Sequence, residues 1–266
     1  MAHEQSRGEG AARNAGLRSA TGEWVAFLDD DDLWHPERLR WTSDHVTAHP
    51  GAKAVNAGFW TFGPAGAGAD LVASDLASCL QRVGQDPGPW TDMGYLDIHG
   101  RSFDLLLERN RGAISTATVQ RDLLVDVGGF PEGLTCAADW MMFLAVARRT
   151  EWHLVPGDRL AFVRRHAQSN TANNPSNLVV SLGAIAGVWS SLGSSDDPPH
   201  RPLRGYGGDY RWHVQQAIWS ALGRRDWETA RQAWSLGKSL LPRRADRAYA
   251  CVPPAVAWRL EHRTWR

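Results

Sequence analysis

The stretch Trp24-Val25-Ala26-Phe27-Leu28-Asp29-Asp30-Asp31-Asp32 decides the fold. Five apolar or small residues, two of them aromatic and one β-branched, run directly into four carboxylates. The first half reads as a short buried strand. The second half cannot follow it into the core, because desolvating several like charges together is prohibitive. The strand therefore ends where the acids begin, and the acids sit at an open sheet edge. In α/β sheets the edge at the carboxyl ends of the strands is where ligands bind. Crowded carboxylates repel one another unless a cation lies among them, and hard divalent ions such as Mg²⁺ or Mn²⁺ take oxygen ligands. The motif predicts a cation-assisted nucleotide site.

The surrounding composition is that of a globular chain of one large or two smaller domains: 266 residues, 43% hydrophobic and 22% charged. The net charge is zero but unevenly spread. From His200 onward there are 13 Lys and Arg against 5 Asp and Glu, whereas the remainder holds 16 against 24. The basic C-terminal stretch suits either a solvated helical face or peripheral contact with an anionic membrane surface. Nucleic acid is a poor third reading, because the tail lacks interleaved exposed aromatics. Cys79, Cys136 and Cys251 form no CxxC pair and no disulfide framework, as expected of a reducing compartment. No apolar signal region opens the chain, and Leu178–Trp189, the longest apolar-rich stretch, is shorter than the ~20 residues of a membrane span. The expected location is cytoplasmic.

Around the motif, Gly8–Ala20 reads as a small-residue helix and His35-Pro36-Glu37 opens a second, ending near His49-Pro50-Gly51. Ala52–Trp60 reads as one strand, Gly63–Trp90 as an irregular loop, Ser102–Arg109 as a short helix and Ala113–Val119 as a strand. Arg121–Val127 reads as one or two helical turns stopped by Gly128-Gly129, and Asp139–Arg149 as a buried helix. Trp152–Val155 and Leu160–Val163 follow as strands. After about residue 172 the character changes. Leu178–Leu192, Tyr210–Leu222, Trp227–Leu241 and Ala255–His262 read as helices, the middle two forming a hairpin. The expected domains are 1–172 and 173–266.

Three blocks carry a recognisable pattern. The first is Gly8-Glu9-Gly10-Ala11-Ala12-Arg13-Asn14-Ala15-Gly16-Leu17, continued by Gly22 through Pro36. The second is Val127-Gly128-Gly129-Phe130-Pro131-Glu132 with Ala138-Asp139-Trp140, and the third is Arg164-Arg165-His166-Ala167-Gln168-Ser169. In this order they resemble glycosyltransferase family 2, over roughly residues 7 to 170. The resemblance implies an α/β, Rossmann-like GT-A domain, N-terminally truncated because the pattern is entered after the family's first strands. A small α-helical region then follows. It also implies a nucleotide-sugar donor (a UDP-sugar in the first instance), a glycan or other hydroxyl acceptor, and Mn²⁺ or Mg²⁺. The family's DxD motif falls on Asp29 and Asp31, with Asp31 the direct metal ligand and Asp29 either contacting the ribose or sharing the metal's shell. Asp30 is carried with the donor-binding set, although Asp30 and Asp32 read as turned toward backbone or surface groups. Arg13 falls at a nucleotide contact, Arg164 and Ser169 near the diphosphate, and the acidic base on Asp139. Ala138 stands where the family pattern has a second acid.

Each assignment has a structural alternative. Asp139 precedes an apolar helix and could be a cap, or it could accept a proton from an attacking hydroxyl. The acidic run could be a plain turn. A calcium loop is disfavoured because Leu33, Trp34 and Arg40 occupy the fifth, sixth and twelfth positions of that pattern. His166 could be a third metal ligand or a structural histidine, and Arg13 a nucleotide contact or a surface ion pair. The sequence thus poses an inverting, metal-dependent sugar transfer against an inactive remnant serving as an interaction module.

Overall fold

A computed structural model describes residues 8–66, 69–85, 97–156, 159–166, 175–192 and 203–261. It divides into two compact units, one built from residues 1–106, 110–133 and 138–169, the other from 107–109, 134–137 and 170–266. The first is mixed α/β and the second is helical, the fold class the sequence predicts.

The first unit contains two four-stranded sheets. One has the order β1 (Trp24–Ala26), β6 (Thr118–Gln120), β3 (Ala54–Ala57), β7 (Trp152–Val155). The other has the order β2 (Leu33–Trp34), β8 (Ala161–Arg164), β4 (Phe59–Gly63), β5 (Leu71–Val72). The expected strand Ala52–Trp60 is in fact two strands, one in each sheet. Gly58 marks the break, and its carbonyl accepts from Leu160 N–H at 2.8 Å. β3 pairs in parallel with β7, and β4 with β8, so a two-stranded parallel ribbon passes from one sheet to the other.

β1 corrects another expectation. It is a three-residue, half-buried strand at one end of its sheet, antiparallel to β6, rather than a fully buried one. Phe27 beyond it is buried and continues the ladder to Ala117. The chain then crosses to the second sheet, where Leu33 pairs with Phe162. The four acids occupy this crossing.

Each sheet has a helical cover. Trp41 and Val46 of α2 (Arg38–Ala48) pack on Ala52, Val55, Ala57, Val155 and Leu160. Cys79 of α3 (Leu76–Gln85) is buried with Trp60, Phe62, Leu71 and Phe162 on the second sheet, and Leu76 and Leu80 pack against them. The loop expected over Gly63–Trp90 thus holds β5 and α3, whose Asp75 accepts from Ser78 N–H at 2.8 Å; residues 86–90 lie outside the described set. The strand expected at Ala113–Val119 begins instead as a 3₁₀ turn, Ile114–Thr116. α6 (Ala138–Ala147) is apolar on nearly every face and accordingly largely buried.

α1 (Glu9–Ser19) is joined to the turn after α5 (Arg121–Asp126) by an exact clasp. The Asn14 side chain donates to the Phe130 carbonyl at 2.8 Å and accepts from Phe130 N–H at 2.9 Å. Gly129 makes room for it, with φ +68° and an open side that a Cβ would close to 2.5 Å from Asn14 Oδ1. One turn earlier, Gly10 lies against Pro131, where a Cβ would stand 2.3 Å from the carbonyl oxygen.

In the helical unit, α7 (Pro175–Leu192), α8 (Gly207–Gly223), α9 (Trp227–Leu240), α10 (Arg244–Cys251) and α11 (Pro254–Glu261) follow in order. The expected α8–α9 hairpin is present, with Ala217, Ala221, Ala230 and Ala233 buried and Asp226 capping α9 through Thr229 N–H. α10 was absent from the sequence reading. No helix among the described residues is long and apolar enough to cross a membrane.

A glycine in a helix interior ordinarily gains ~1 kcal/mol on becoming alanine. At position 10 the added methyl meets a backbone oxygen that cannot rotate away. Gly10→Ala should instead lose about 1–3 kcal/mol, read from the denaturant midpoint; a gain would show that α1 is not held against Pro131.

Candidate functional site

Three of the four acids converge. Asp29, Asp31 and Asp32 each bring one carboxylate oxygen within 4.8 Å of the others. A turn closed by Asp32 N–H on the Asp29 carbonyl, at 3.2 Å, sets the run. Asp30 is exposed and outside the group. Asp32, read from sequence as turned away, is buried and belongs to it.

Ser115 organises the turn from the facing 3₁₀ segment. Its hydroxyl donates to Asp32 Oδ2 at 2.6 Å and accepts from Asp29 N–H at 3.1 Å. Trp34 Nε1 donates to the Ser115 carbonyl at 2.8 Å, so this indole holds the segment as well as packing. Fully buried Arg38 donates to the Thr116 carbonyl at 2.5 Å. Sequence reasoning missed Ser115, because a lone serine 83 positions beyond Asp32 has no local signature.

The third block closes over the acids. Arg164 N–H donates to Asp32 Oδ1 at 2.8 Å, and Arg164 Nε to the Asp31 carbonyl at 2.8 Å. The Arg164 guanidinium also lies over the Phe62 ring, 4.5 Å from its centroid. His166 Nε2 is 3.0 Å from Asp31 Oδ2. Ser169 lies outside the described residues.

On the other flank, α1 places Arg13 2.8 Å from Asp29 Oδ1 and 3.5 Å from Glu9. Burial alone would weaken this cation's hold on its proton. Asp29, Glu9 and Asp139 outweigh that, and its pKa is raised. Glu9, which the sequence reading did not single out, is pushed up by burial and by Asp139 and Asp29, with Arg13 opposing.

Asp139 is in the first turn of α6 and half-buried. Its carboxylate accepts from Trp140 N–H at 2.7 Å and from Asn110 Nδ2 at 3.3 Å. It thus satisfies a helix-end donor while an electrostatic neighbour of Arg13 and Asp29. Burial raises its pKa most, and Asp29 adds to this; Arg13, Trp140 N–H and Asn110 pull the other way. Trp140 itself is a core residue, its indole donating to the Leu106 carbonyl.

Asp32 is more strongly perturbed. Burial raises its pKa to about 6, with Asp31 and Asp29 adding and Ser115 and Arg164 N–H partly offsetting. The donor set is therefore three carboxylates, one of them held at a cost by desolvation and crowding. Such an all-oxygen group fits a hard divalent cation. A cavity lined by Ile98, Leu106, Phe143 and Trp152 shares no residue with this constellation.

Residues 1–54 match the model of Glycosyl transferase family 2. An uncharacterized glycosyltransferase of Nostoc sp. is 36% identical over 87 residues, 30% of this chain and 27% of the relative. The succinoglycan biosynthesis protein ExoO of Rhizobium meliloti is 52% identical over 40 residues, 15% of this chain and 12% of the relative. The chain thus spans little more than a quarter, or less, of these relatives' lengths. Among solved structures, S. aureus TarS 1–349 in complex with UDP-GlcNAc is similar with a TM-score of 0.49 and 13% identity, over 90% of this chain and 73% of that one. The Pyrobaculum calidifontis mannosyltransferase in complex with GDP-Man and Mn²⁺ gives a TM-score of 0.44 and 18% identity, over 99% and 68%. Both are loose likenesses of outline. The family match thus rests on the N-terminal segment, residues 1–54, which carries the acidic run.

Proposed function

We propose that this chain transfers a sugar from a nucleotide-sugar to a hydroxyl acceptor with inversion, in a GT-A-type site assisted by Mn²⁺ or Mg²⁺. The observation that carries the reading is the convergence of Asp29, Asp31 and Asp32 beside Arg13, with Asp139 in the same electrostatic neighbourhood. In the proposed reaction the acceptor oxygen bonds to the anomeric carbon as the bond from that carbon to the diphosphate oxygen breaks. The electron pair leaves with the nucleoside diphosphate.

Asp139 receives the acceptor's proton. A carboxylate whose pKa is raised by burial is a stronger base than a solvated one, and Arg13 nearby favours its ionised form. Asp31 and Asp29 would hold the cation, with Asp32 as the added ligand and His166 orienting Asp31 through its 3.0 Å contact. When bound, the divalent ion supplies Lewis-acid neutralisation of the departing diphosphate. Arg164 would share that role, and Ser169 and Asp30 remain assigned to the donor by resemblance. The donor is read here as a UDP-sugar, the acceptor as a glycan hydroxyl.

Turnover of a panel of UDP- and GDP-sugars with Mn²⁺, followed by nucleoside diphosphate release in the presence of glycan acceptors, tests the reading. Asp139→Asn should lower kcat about 10²–10⁴-fold with donor affinity little changed. Asp31→Asn should weaken activation by Mn²⁺ about 10- to 100-fold. Release that is equal in wild type and both variants would overturn the assignment.

The buried acid offers a second check. Between its ordinary 3.8 and about 6, the folded metal-free protein holds a proton on Asp32 that the unfolded chain does not. This contribution is present at acid pH and lost as pH rises through that window. Asp32→Asn keeps an acceptor for Arg164 N–H, turns the Ser115 bond into one that the amide donates to the hydroxyl, and cannot ionise. Relative to wild type in a chelator, it should gain about 2–3 kcal/mol of stability on going from about pH 4 to about pH 7, by denaturant titration.

A further inference from the structure

A second group of ligating side chains, remote in chemistry from the acids, gathers around β7, the end strand of its sheet. His45 in the last turn of α2 and His49 just beyond it stand four residues apart, rings stacked with centroids 4.3 Å apart. His153 on β7 is 6.2 Å from His45 and 6.3 Å from His49. His99, in the segment preceding α4 (Ser102–Glu108), lies 4.1 Å from His153. Four of the ten histidines of the chain therefore meet at one place.

His45 lies in the helix and His49 at its C-cap, four residues on, a separation that metal-binding histidine pairs use. An imidazole bound at a Zn–N distance of about 2.0–2.1 Å puts its ring centre roughly 3 Å from the ion, so two rings at a tetrahedral angle are about 5 Å apart. The separations within His45, His49 and His153, and from His153 to His99, run from 4.1 to 6.3 Å and bracket that value. His45 Nε2 is buried and has no hydrogen-bond partner, a lone ring nitrogen in a polar cluster. Burial, followed by the neighbouring rings, lowers the pKa of both His45 and His153. Glu151, the nearby carboxylate, is engaged by the Ser102 hydroxyl at 2.6 Å.

We propose that His45, His49, His153 and His99 form a site for a borderline transition-metal cation, Zn²⁺ being representative, which ties the end of α2 to β7 and to the segment ahead of α4. Nitrogen donors separate this site from the all-oxygen acidic turn, which favours harder ions. Among the described residues only Asp29, Asp31 and Asp32 present three ligand atoms already within 4.8 Å, so the imidazole site closes by ring rotation. His49 and His99 are exposed; turning the His49 ring exchanges its 2.9 Å Nδ1 contact with the His45 carbonyl for water.

The test uses the untagged full chain and Co²⁺ as a spectroscopic stand-in, with Zn²⁺ calorimetry beside it. One equivalent of Co²⁺ should give the intense visible bands of a tetrahedral, nitrogen-ligated ion. The bands should persist in Asp29→Asn/Asp31→Asn, and affinity should fall at least about tenfold in His153→Gln and in His49→Gln. His49 is exposed, so loss in its variant cannot be ascribed to misfolding. No tetrahedral spectrum, unchanged affinity in both histidine variants, or loss in the aspartate variant alone would each overturn the site.

Discussion

The charged flank beside the acidic turn depends on one side-chain amide. Asn14 answers both the N–H and the carbonyl of Phe130, 116 residues away. Leaving those buried groups unpaired would cost about 1–3 kcal/mol each. The two bonds fix α1 against the turn that leads toward α6. α1 carries Arg13 and Glu9, and α6 carries Asp139, so the clasp sets the spacing of the charged groups on this flank. The small residues around it have the same explanation: Gly10 and Gly129 are where the two segments approach too closely for a side chain.

The electrostatics of the opposite flank are those of crowding relieved by hydrogen bonds. Asp32 is the extreme case, buried yet answered only by a hydroxyl and a backbone amide. Asp29 has Arg13 and Asp31 has His166, so each of the more exposed acids already leans on a cationic or ionisable partner. The group is poised between these internal partners and any ion brought to it. That balance makes the same residues serve both as scaffold and as candidate ligands.

Much of this was legible in the sequence because it is local. The acidic run, the small-residue helix before it, the double glycine and the apolar α6 each declare themselves within a dozen residues. What escaped was set by long-range partners. Ala52–Trp60 has the composition of one strand, and only the placement of β7 and β8 shows why it breaks at Gly58. Asp32 differs from Asp30 by nothing in its neighbours along the chain; Ser115 and Arg164 bury one and leave the other in water. β5 and α3 hide in a Gly- and Ala-rich stretch with weak periodicity, where tertiary burial of Leu71 and Cys79 supplies what propensity does not. The histidine cluster is similarly invisible beyond its first pair, since His99 and His153 come from distant segments.

The crossing of the acidic run from the first sheet to the second has a mechanical meaning. β1 anchors its front in one sheet and β2 its rear in the other, while the chain through Gly58 is another covalent path between the same two layers. The four aspartates therefore act as a tie-bar across a seam, and its length is the distance over which their oxygens must agree. A shear of one layer against the other would spread the carboxylates, and an ion gripping them would resist that shear. Rigidity of the α/β unit and grip on a cation would then be two readings of a single elastic quantity.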